Sequence, residues 1–498
     1  MSPKITRAAK PALKPALKFA LKPALKPIFI AASTLWLAAC AVGPDYHRPT
    51  VDTPSTYRFA SSDAEVVDTS LDWWKQFNDP VLDDLVTKAL AQNKDLGIAA
   101  ARVEEYYGRY VVARSGLFPQ VGVNFGGSRS RGVPAPGYPP LVGNQVQLQG
   151  VASWELDLFG RLRRLTEAAR AEYLATQSAQ QATRIALIAN VATAYLQLRD
   201  YDNQLVIAQE TLKSRDDSVK LFEERFGGGV VSKLQLSQAR SEYESAQASV
   251  YSIQKQIAQQ EDAISLLLGQ NPGPIPRGKS ISQLAVPAIP AGLPSSLLER
   301  RPDIQQAEQT LIAANAQIGA ARAQYFPEIS LTGMFGAAST ALSGLWTGPA
   351  RVWSFAGAVS QPIFQGGAIA GSVHSAEAAH QEALLNYEQT IQQAFADVEN
   401  SLVGAARAHD QLEATAREVD ALAQYASLSR DLYEGGYTSY LEVLDAERSL
   451  FAAQIQQSQL QDQRLAEVVN LYKALGYGWM PPAQAGASRA PQQPAPQS

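Results

Sequence analysis

Few side chains in this 498-residue chain could carry out acid–base or metal chemistry. The chain has four histidines, and His374 and His380 are six residues apart rather than the three or four that place two ligands on one helix face. We find no G-x-S-x-G, H-E-x-x-H or paired-carboxylate motif, and no G-x-x-x-x-G-K-[ST] phosphate loop. The sequence therefore argues against an enzyme and against a protein that is powered by ATP.

The only cysteine, Cys40, closes the sequence LAAC. It follows a lysine-rich run without acidic residues and a short apolar segment, residues 28–39. This order is typical of a secretory signal peptide, predicted here over residues 1–39, and the apolar segment falls short of the roughly 20 residues that cross a bilayer. LAAC resembles the lipobox of bacterial lipoproteins, which implies a covalent lipid on Cys40. We expect no other cofactor and no metal site.

Composition and charge set further limits. With 46% hydrophobic and 18% charged residues, the chain is typical of a folded protein. The leader carries seven positive charges and no negative ones, so the mature chain has a net charge near −11. This negative balance argues against a nucleic-acid partner. With a single cysteine, the chain cannot form an internal disulfide.

The mature sequence contains one unit twice. ARSGLFPQVGV at residues 113–123 returns as ARAQYFPEISL at 321–331, an offset of 208, and further matches follow at nearly the same offset. Each unit is predicted to run helix, strand, strand, long helix, glycine-rich turn, helix. The predicted divisions of the mature chain are a lipidated N-terminal segment (40–77), repeat unit one (78–270), a linker (271–299), repeat unit two (300–480) and a disordered tail (481–498).

Two very long helices are predicted. Residues 161–226 contain neither glycine nor proline, and their apolar residues recur at spacings of three, four and seven, as in a coiled coil. The corresponding run, 372–434, is interrupted only by Gly404. Each helix would span roughly 100 Å, which suits a column across a periplasm. The first helix of unit one is predicted to begin at Pro80, with Asp79 as its cap.

Four amphipathic strands are predicted at residues 118–131, 144–159, 326–340 and 351–364. A lone four-stranded sheet leaves unpaired N–H and C=O groups at its edges, which lipid does not tolerate, whereas three copies give 12 strands. A soluble sandwich with one wet face is the alternative. In the second strand we expect alternate residues to face lipid and water. The residues expected to face lipid are Val146, Leu148, Ala152, Trp154, Leu156 and Leu158. The residues expected to face water are Gln145, Gln147, Gln149, Ser153, Glu155 and Asp157. Gly160 is expected at the joint with the long helix.

Five stretches along the mature chain are distinctive: WELDLFGRLRR, LLERRPDI, ANAQIGAARAQYFPEISL, LDAERSLFAAQ and VNLYKALG. In order and spacing they resemble the TolC-like outer-membrane efflux family, most closely its OprM and NodT type of lipoproteins. The resemblance implies an α+β membrane protein, a homotrimer whose 12-stranded transmembrane β-barrel continues into a 12-helix periplasmic α-barrel, with a mixed equatorial domain. It also implies a lipid anchor in the bacterial outer membrane, a periplasmic adaptor and an inner-membrane resistance-nodulation-division transporter as partners.

By this resemblance the chain is expected to be a passive gated conduit that exports drugs or other small toxic compounds. The gate is placed at the far periplasmic tip, where Leu441 and Asp445 lie one turn apart on one helix face and become rings under threefold symmetry. Three carboxylates on one axis repel each other, so a closed tip needs compensating contacts, for which Arg448 is a candidate. An ordinary solvated position for Asp445 is the alternative.

Two glycine-rich turns resemble the adaptor-docking tips of the family. The residues expected to form this docking surface are Gly227, Gly228, Gly229, Val230, Leu234, Gly435, Gly436 and Tyr437. The run of three glycines in the first turn is richer in glycine than such turns usually are. The alternative is that glycine here only permits left-handed turn geometry.

Other functions stay open on the sequence alone. An outer-membrane conduit for metal-ion efflux or for type I protein secretion would share most of these features. The chain has only Met1, Met334 and Met480, so the soft-ligand clusters expected for Cu(I) are missing, which is weak evidence because a passage need not bind its cargo. A structural coiled-coil lipoprotein would explain the anchor and helices but not the strands.

Overall fold

The structure, a computed structural model, describes residues 41–59, 72–133, 142–287 and 294–479. The expected signal peptide, Cys40 and the expected tail lie outside these described residues. Unit one contains α1 (Pro80–Gln92), α2 (Lys94–Ser115), β1 (Gln120–Arg131), β2 (Val142–Leu156), α3 (Arg161–Gly227) and α4 (Lys233–Leu267). Unit two contains α5 (Pro294–Arg300), α6 (Pro302–Ala323), β3 (Glu328–Ser339), β4 (Arg351–Ser360), α7 (Ala368–Glu434) and α8 (Tyr440–Ala474).

Corresponding elements of the two units have the same lengths. Helices α3 and α7 have 67 residues each, α4 and α8 have 35 each, and α2 and α6 have 22 each. Such equal lengths are expected of a duplicated unit. Both long helices are continuous, and Gly404 does not break α7. A Cβ added at Gly404 would lie 2.8 Å from the flexible carboxyl end of Glu467 on α8.

The first helix of unit one begins as predicted. The Asp79 carboxylate caps α1 by accepting a 2.9 Å hydrogen bond from the backbone N–H of Val81. The same carboxylate is 1% exposed and accepts a 2.8 Å bond from the Tyr195 hydroxyl of α3. The single predicted helix is in fact two, because Asn93 ends α1 and caps α2, accepting from the N–H of Leu96.

The expected linker, 271–299, is packed over its described residues rather than free. Ile275, Ile281 and Leu284 are buried in the main core. Arg277 forms ion pairs with Asp202 of α3 and Glu261 of α4. Helix α5 begins at Pro294, inside the segment predicted as linker. Proline and glycine make this segment irregular, but its apolar residues still cover the helices.

The main core joins the middle of α3 to the end of α8 and to a short 3-10 helix, Trp73–Phe77. The ring of Trp73 stacks on that of Tyr472, with centroids 4.8 Å apart. Trp74 and Phe77 are buried in the same cluster. Residues 72–77, assigned from sequence to the N-terminal segment, therefore belong to this core, which alternation and helical spacing could not reveal.

The four strands form one antiparallel sheet in the order β1-β2-β3-β4, so the β2–β3 pairing joins the two units. The strands are shorter than predicted, since Phe118, Phe159, Phe326 and Phe364 lie outside them. Phe159 and Phe326 instead stack with centroids 4.8 Å apart beside the sheet. Within the described residues, β1 and β4 each pair along one edge only.

The register gives the sheet two unlike faces, because directly opposed residues point to the same side. Phe125 is opposite Leu148, which is opposite Ala337, which is opposite Arg351. The face of Phe125 is largely apolar, and it includes Val121, Val123, Trp154, Leu331, Phe335, Trp353, Phe355 and Val359. The opposite face carries small and polar residues, among them Asn124, Gln145, Gln147, Gln149, Ser153 and Thr332. The predicted alternation of β2 agrees with this arrangement.

Candidate functional site

Both tip turns have the same backbone geometry. Gly229, with φ of 68°, and Gly436, with φ of 77°, occupy the left-handed region that favours glycine. The N–H of Val230 donates to the carbonyl of Arg225 at 2.8 Å, and that of Tyr437 donates to the carbonyl of Leu432 at 2.8 Å. Gly227 has open space where a Cβ would lie, so its conformation does not require glycine.

The residues predicted as a docking surface all lie in or next to these two turns. Gly227, Gly228, Gly229, Gly435 and Gly436 are exposed. The apolar side chains of Val230, Leu234 and Tyr437 project into solvent, and Tyr437 is 84% exposed. Three large apolar side chains at the ends of two helical hairpins form a surface suited to a partner protein.

An aromatic cluster holds the two hairpins together beneath the turns. The ring of Phe222 on α3 lies 4.3 Å from that of Tyr440 on α8, and Tyr433 lies 5.4 Å from Tyr440. Burial raises the pKa of the Tyr440 hydroxyl to about 12, and this hydroxyl has no hydrogen-bond partner among the described residues. The two turns are therefore supported by one shared apolar core.

The predicted gate residues Leu441, Asp445 and Arg448 lie on one exposed face of α8. Leu441 is 61% exposed, and the buried residues Val443 and Leu444 lie on the other side of the helix. This agrees with one shared face, since positions separated by four and seven residues coincide on a helix. The formation of rings at a constriction stays a prediction.

Arg448 forms an ion pair with a carboxylate on another helix. Its guanidinium pairs with Glu242 on α4, and its Nε donates to that carboxylate at 2.9 Å. The hydrogen bond that Arg448 donates to Glu242 is the main reason that the pKa of Arg448 is raised, and the charge of Asp445 is the smallest contribution. In this chain Arg448 thus joins the second hairpin to the first.

A second ion-pair group lies beside the first along α8, and the sequence did not predict it. Glu447 on α8 pairs with Arg215 of α3 and with Arg430 of α7. The Arg215 side chain is 4% exposed. Its position, three residues after Leu212 and four before Val219, is on the predicted apolar seam. A charged residue on an apolar seam was the available signal for a buried ion pair.

Glu155 and Asp157, which were expected to face water, form hydrogen bonds at the joint between β2 and α3. Glu155 accepts hydrogen bonds from the Arg161 guanidinium at 2.7 and 2.8 Å. Asp157 lies beyond the end of β2, and its carboxylate accepts from the backbone N–H groups of Leu162 and Arg163. The prediction for Asp157 was wrong, because the first turn of α3 has free N–H donors that a nearby carboxylate satisfies. Gly160 does lie at the joint, with φ of 82°.

The chain that follows Cys40 lies against this same joint. A Cβ at Gly160 would be 3.0 Å from the Cα of Ala41, and the N–H of Val42 donates to the carbonyl of Phe159 at 3.0 Å. Asp45 pairs at 2.7 Å with the buried guanidinium of Arg164. Residues 41–45 are therefore anchored where the sheet meets the long helices.

The described residues contain neither a membrane-spanning helix nor a cluster of metal-ligating side chains. Across residues 41–59, 72–133, 142–287 and 294–479, no helix combines the length and the hydropathy needed to cross a membrane. Over the same ranges there is no group of three or more His, Cys, Asp or Glu side chains that could hold a metal ion.

A model of the family described as outer membrane efflux protein matches residues 85–270 and 293–477, most of the chain. The chain belongs to the outer membrane efflux protein family. This efflux channel is 39% identical over 457 residues to the solvent efflux pump outer membrane protein SrpC of Pseudomonas putida, a match that covers 89% of the chain and 97% of the relative. It is 37% identical over 452 residues to the cation efflux system protein CusC of Escherichia coli O6:H1, with coverages of 89% and 97%.

The fold of the efflux channel is also that of solved outer-membrane channels. The outer-membrane channel OprN superposes with a TM-score of 0.81 at 31% identity, and the match covers 88% of this chain and all of OprN. The expected α+β, TolC-like fold is confirmed. The protein is the outer-membrane channel of a tripartite efflux system, and it is a passive conduit rather than an enzyme.

Proposed function

We propose that three copies of the efflux channel close into one 12-stranded β-barrel over a 12-helix α-barrel. The observation that carries this is the amphipathic sheet, in which β1 and β4 each pair along one edge only within the described chain. In lipid, each unpaired edge group costs several kcal/mol, and pairing β4 of one copy with β1 of the next removes that cost. An isologous dimer would give eight strands, which is compatible with a filled barrel but not with a wide lumen.

The trimer is tested on full-length protein purified in detergent. Native mass spectrometry is expected to give the mass of three chains, and planar bilayers are expected to show discrete conductance steps. A stable monomer without ion flux would overturn the proposal. A dimer that conducts would overturn the trimer but leave the channel function intact.

The lipid on Cys40 is proposed because residues 41–45 are anchored at the end of the sheet that faces the periplasm. Acyl chains attached to the residue that precedes Ala41 could then insert into the inner leaflet. Mass spectrometry of the mature N-terminal peptide is expected to show a diacylglyceryl-modified cysteine. An unmodified N-terminus, or one that starts elsewhere than Cys40, would contradict this.

We also propose that Leu441 and Asp445 line the periplasmic gate and that the exposed turns bind the adaptor. The support for the gate is the shared exposed face of α8, and the support for docking is the exposed apolar residues Val230, Leu234 and Tyr437. The double variant Asp445→Ala with Arg448→Ala is expected to raise the leak of ions and of vancomycin-sized solutes. Unchanged single-channel conductance would reject the gate.

Docking is tested separately with Leu234→Asp and Tyr437→Asp. Both are expected to abolish cross-linking to a periplasmic adaptor while leaving bilayer conductance in place, since these side chains are mostly exposed to solvent. Val112→Asp on α2, which is equally exposed and far along the chain from either turn, is the matched control. Equal cross-linking in all three variants would show that the adaptor binds elsewhere.

The proposed cargo is small organic compounds such as solvents or antibiotics, exported with a periplasmic adaptor and a resistance-nodulation-division transporter. The support is that several relatives are named for solvent, toluene or antibiotic efflux. One relative is named for cation efflux, so metal export is the second candidate. Deletion of the chain in its host is expected to lower tolerance of toluene. Loss of copper tolerance with unchanged toluene tolerance would favour the second candidate.

A further inference from the structure

Three arginines lie on the apolar face of the sheet, at the ends of strands furthest from the helices. Arg129 and Arg131 lie four and six residues after Phe125 in an uninterrupted pairing of β1 with β2, so they share its face. Arg351 is the first residue of β4 and is opposite Ala337, on the same face. All three side chains are exposed. The otherwise apolar face of the sheet therefore carries three positively charged side chains at this end.

These strand ends point away from the periplasm. Helices α3 and α7 follow β2 and β4 and extend from the opposite end of the sheet, where Glu155 and Glu328 also lie. Because the efflux channel spans the outer membrane and its helices occupy the periplasm, the arginine ends face the cell exterior. At that level the outward face of the sheet meets the headgroups of the outer leaflet.

Among the described residues, no acidic side chain neutralises this charge. Residues 106–154 contain no Asp or Glu, and residues 329–376 contain none either. None of Arg129, Arg131 and Arg351 forms an ion pair with any residue that the structure describes. The same two segments contain no lysine. The charge at this rim is therefore carried by guanidinium groups alone, whose planar fork binds phosphate oxygens in pairs.

Aromatic residues mark the level of the interface. Trp353, two residues after Arg351 on the same face, is 69% exposed, and its ring lies 5.8 Å from that of Phe355. Trp346, in the turn between β3 and β4, is also exposed. Tryptophan is enriched where hydrocarbon meets headgroups, so the arginines beyond Trp353 lie among the headgroups rather than in the hydrocarbon.

We propose that Arg129, Arg131 and Arg351 form a basic girdle that binds the phosphate groups of a phosphorylated glycolipid in the outer leaflet. A phosphomonoester carries close to two negative charges and three acceptor oxygens, which match guanidinium donors better than a neutral headgroup does. On the face of the sheet that is turned to lipid, the described strands carry no acidic side chain that could pair with these arginines. The inference rests on the position of the channel in the outer membrane and not on the number of copies in the barrel.

The test uses full-length efflux channel in phosphatidylcholine nanodiscs that contain bisphosphorylated lipid A, lipid A with its phosphates removed, or phosphatidylglycerol. Lipid bound per chain is measured by native mass spectrometry at low and high salt. The wild type is expected to bind bisphosphorylated lipid A at least about tenfold more tightly than the dephosphorylated form, with the difference shrinking in high salt. Phosphatidylglycerol, a phosphodiester with one charge, is expected to bind with intermediate strength.

The triple variant Arg129→Gln, Arg131→Gln, Arg351→Gln is expected to lose this preference while keeping bilayer conductance. The control removes three exposed arginines from periplasmic helices, Arg102→Gln, Arg407→Gln and Arg417→Gln, and is expected to bind like the wild type. Equal binding of the two forms of lipid A by the wild type, or an unchanged preference in the triple variant, would overturn the proposal. An arginine-to-lysine triple variant keeps the charge, so a loss as large as that with glutamine would also overturn it. Loss of conductance in every variant, the control included, would count against the channel function and not against lipid binding.

Discussion

The guanidinium of Arg448 on α8 pairs with the carboxylate of Glu242 on α4, a residue 206 positions earlier in the chain. The Glu242 side chain is largely buried, whereas Arg448 is mostly exposed. This ion pair therefore links the hairpin that carries the predicted gate to the other hairpin.

Replacing Glu242 with glutamine is expected to loosen the tip. The pair is intermediate between exposed and buried, so its loss should cost about 1–2 kcal/mol per chain and shift a closed–open balance by roughly tenfold. Single-channel recording is expected to show longer open times than in the wild type. Glu223→Gln, which removes an exposed pair with Arg240, is the control and should leave open times unchanged.

Asp462 on α8 is expected to make stability depend on pH. Burial, together with the nearby charge of Asp200, raises the pKa of Asp462 from 3.8 to about 7, and its Oδ1 has no partner among the described residues. The folded chain keeps this proton at pH values where the unfolded chain has lost it. The stabilisation is therefore complete below about pH 4 and is lost as the pH rises through about 7.

Asp462→Asn should abolish this dependence. Melting temperatures in detergent are expected to show that the variant gains about 4 kcal/mol on the wild type at alkaline pH and nothing at acidic pH. The exposed Asp420→Asn variant is the control. A difference between wild type and Asp462→Asn that is the same at both pH values would contradict the prediction.

Gly319→Ala is expected to displace the N-terminal residues from the joint. The added Cβ would lie 2.8 Å from the carbonyl oxygen of Val42 and 2.9 Å from the Cγ of Arg164, and the first of these is backbone. Overpacking of this kind costs about 1–3 kcal/mol. Limited proteolysis should cut residues 41–48 faster in this variant. Gly97→Ala, in open space on α2, should instead be neutral or stabilising by up to about 1 kcal/mol.

The aromatic cluster beneath the turns is expected to respond differently to two substitutions. Phe222→Ala removes a fully buried ring and should cost about 3–5 kcal/mol. Tyr440→Phe removes a buried hydroxyl that has no partner among the described residues, so it should be neutral or stabilising by about 1 kcal/mol. Thermal melts compare the two. A large loss in Tyr440→Phe would mean that the hydroxyl has a partner in the assembled channel.

The sequence alone determined the order of elements, the lengths of the long helices and the alternation of the strands. These features follow from periodicity, because 3.6- and 2-residue repeats of apolar residues are local properties of a chain. The cap at Asp79 and the joint at Gly160 were likewise visible, since capping and left-handed turns depend on one or two residues. The role of Asp157 was misassigned, because its donors come from the next helix rather than from its own strand.

Only the tertiary structure decided which distant residues meet. Arg448 was noticed in the sequence, yet its partner Glu242 is 206 residues away, and nothing in local spacing selects that carboxylate over others. The packing of residues 72–77 into the main core and the burial of the expected linker were decided in the same way. Contacts between helices depend on how α3, α4, α7 and α8 lie side by side, and that arrangement is set by the whole packed bundle rather than by any one segment.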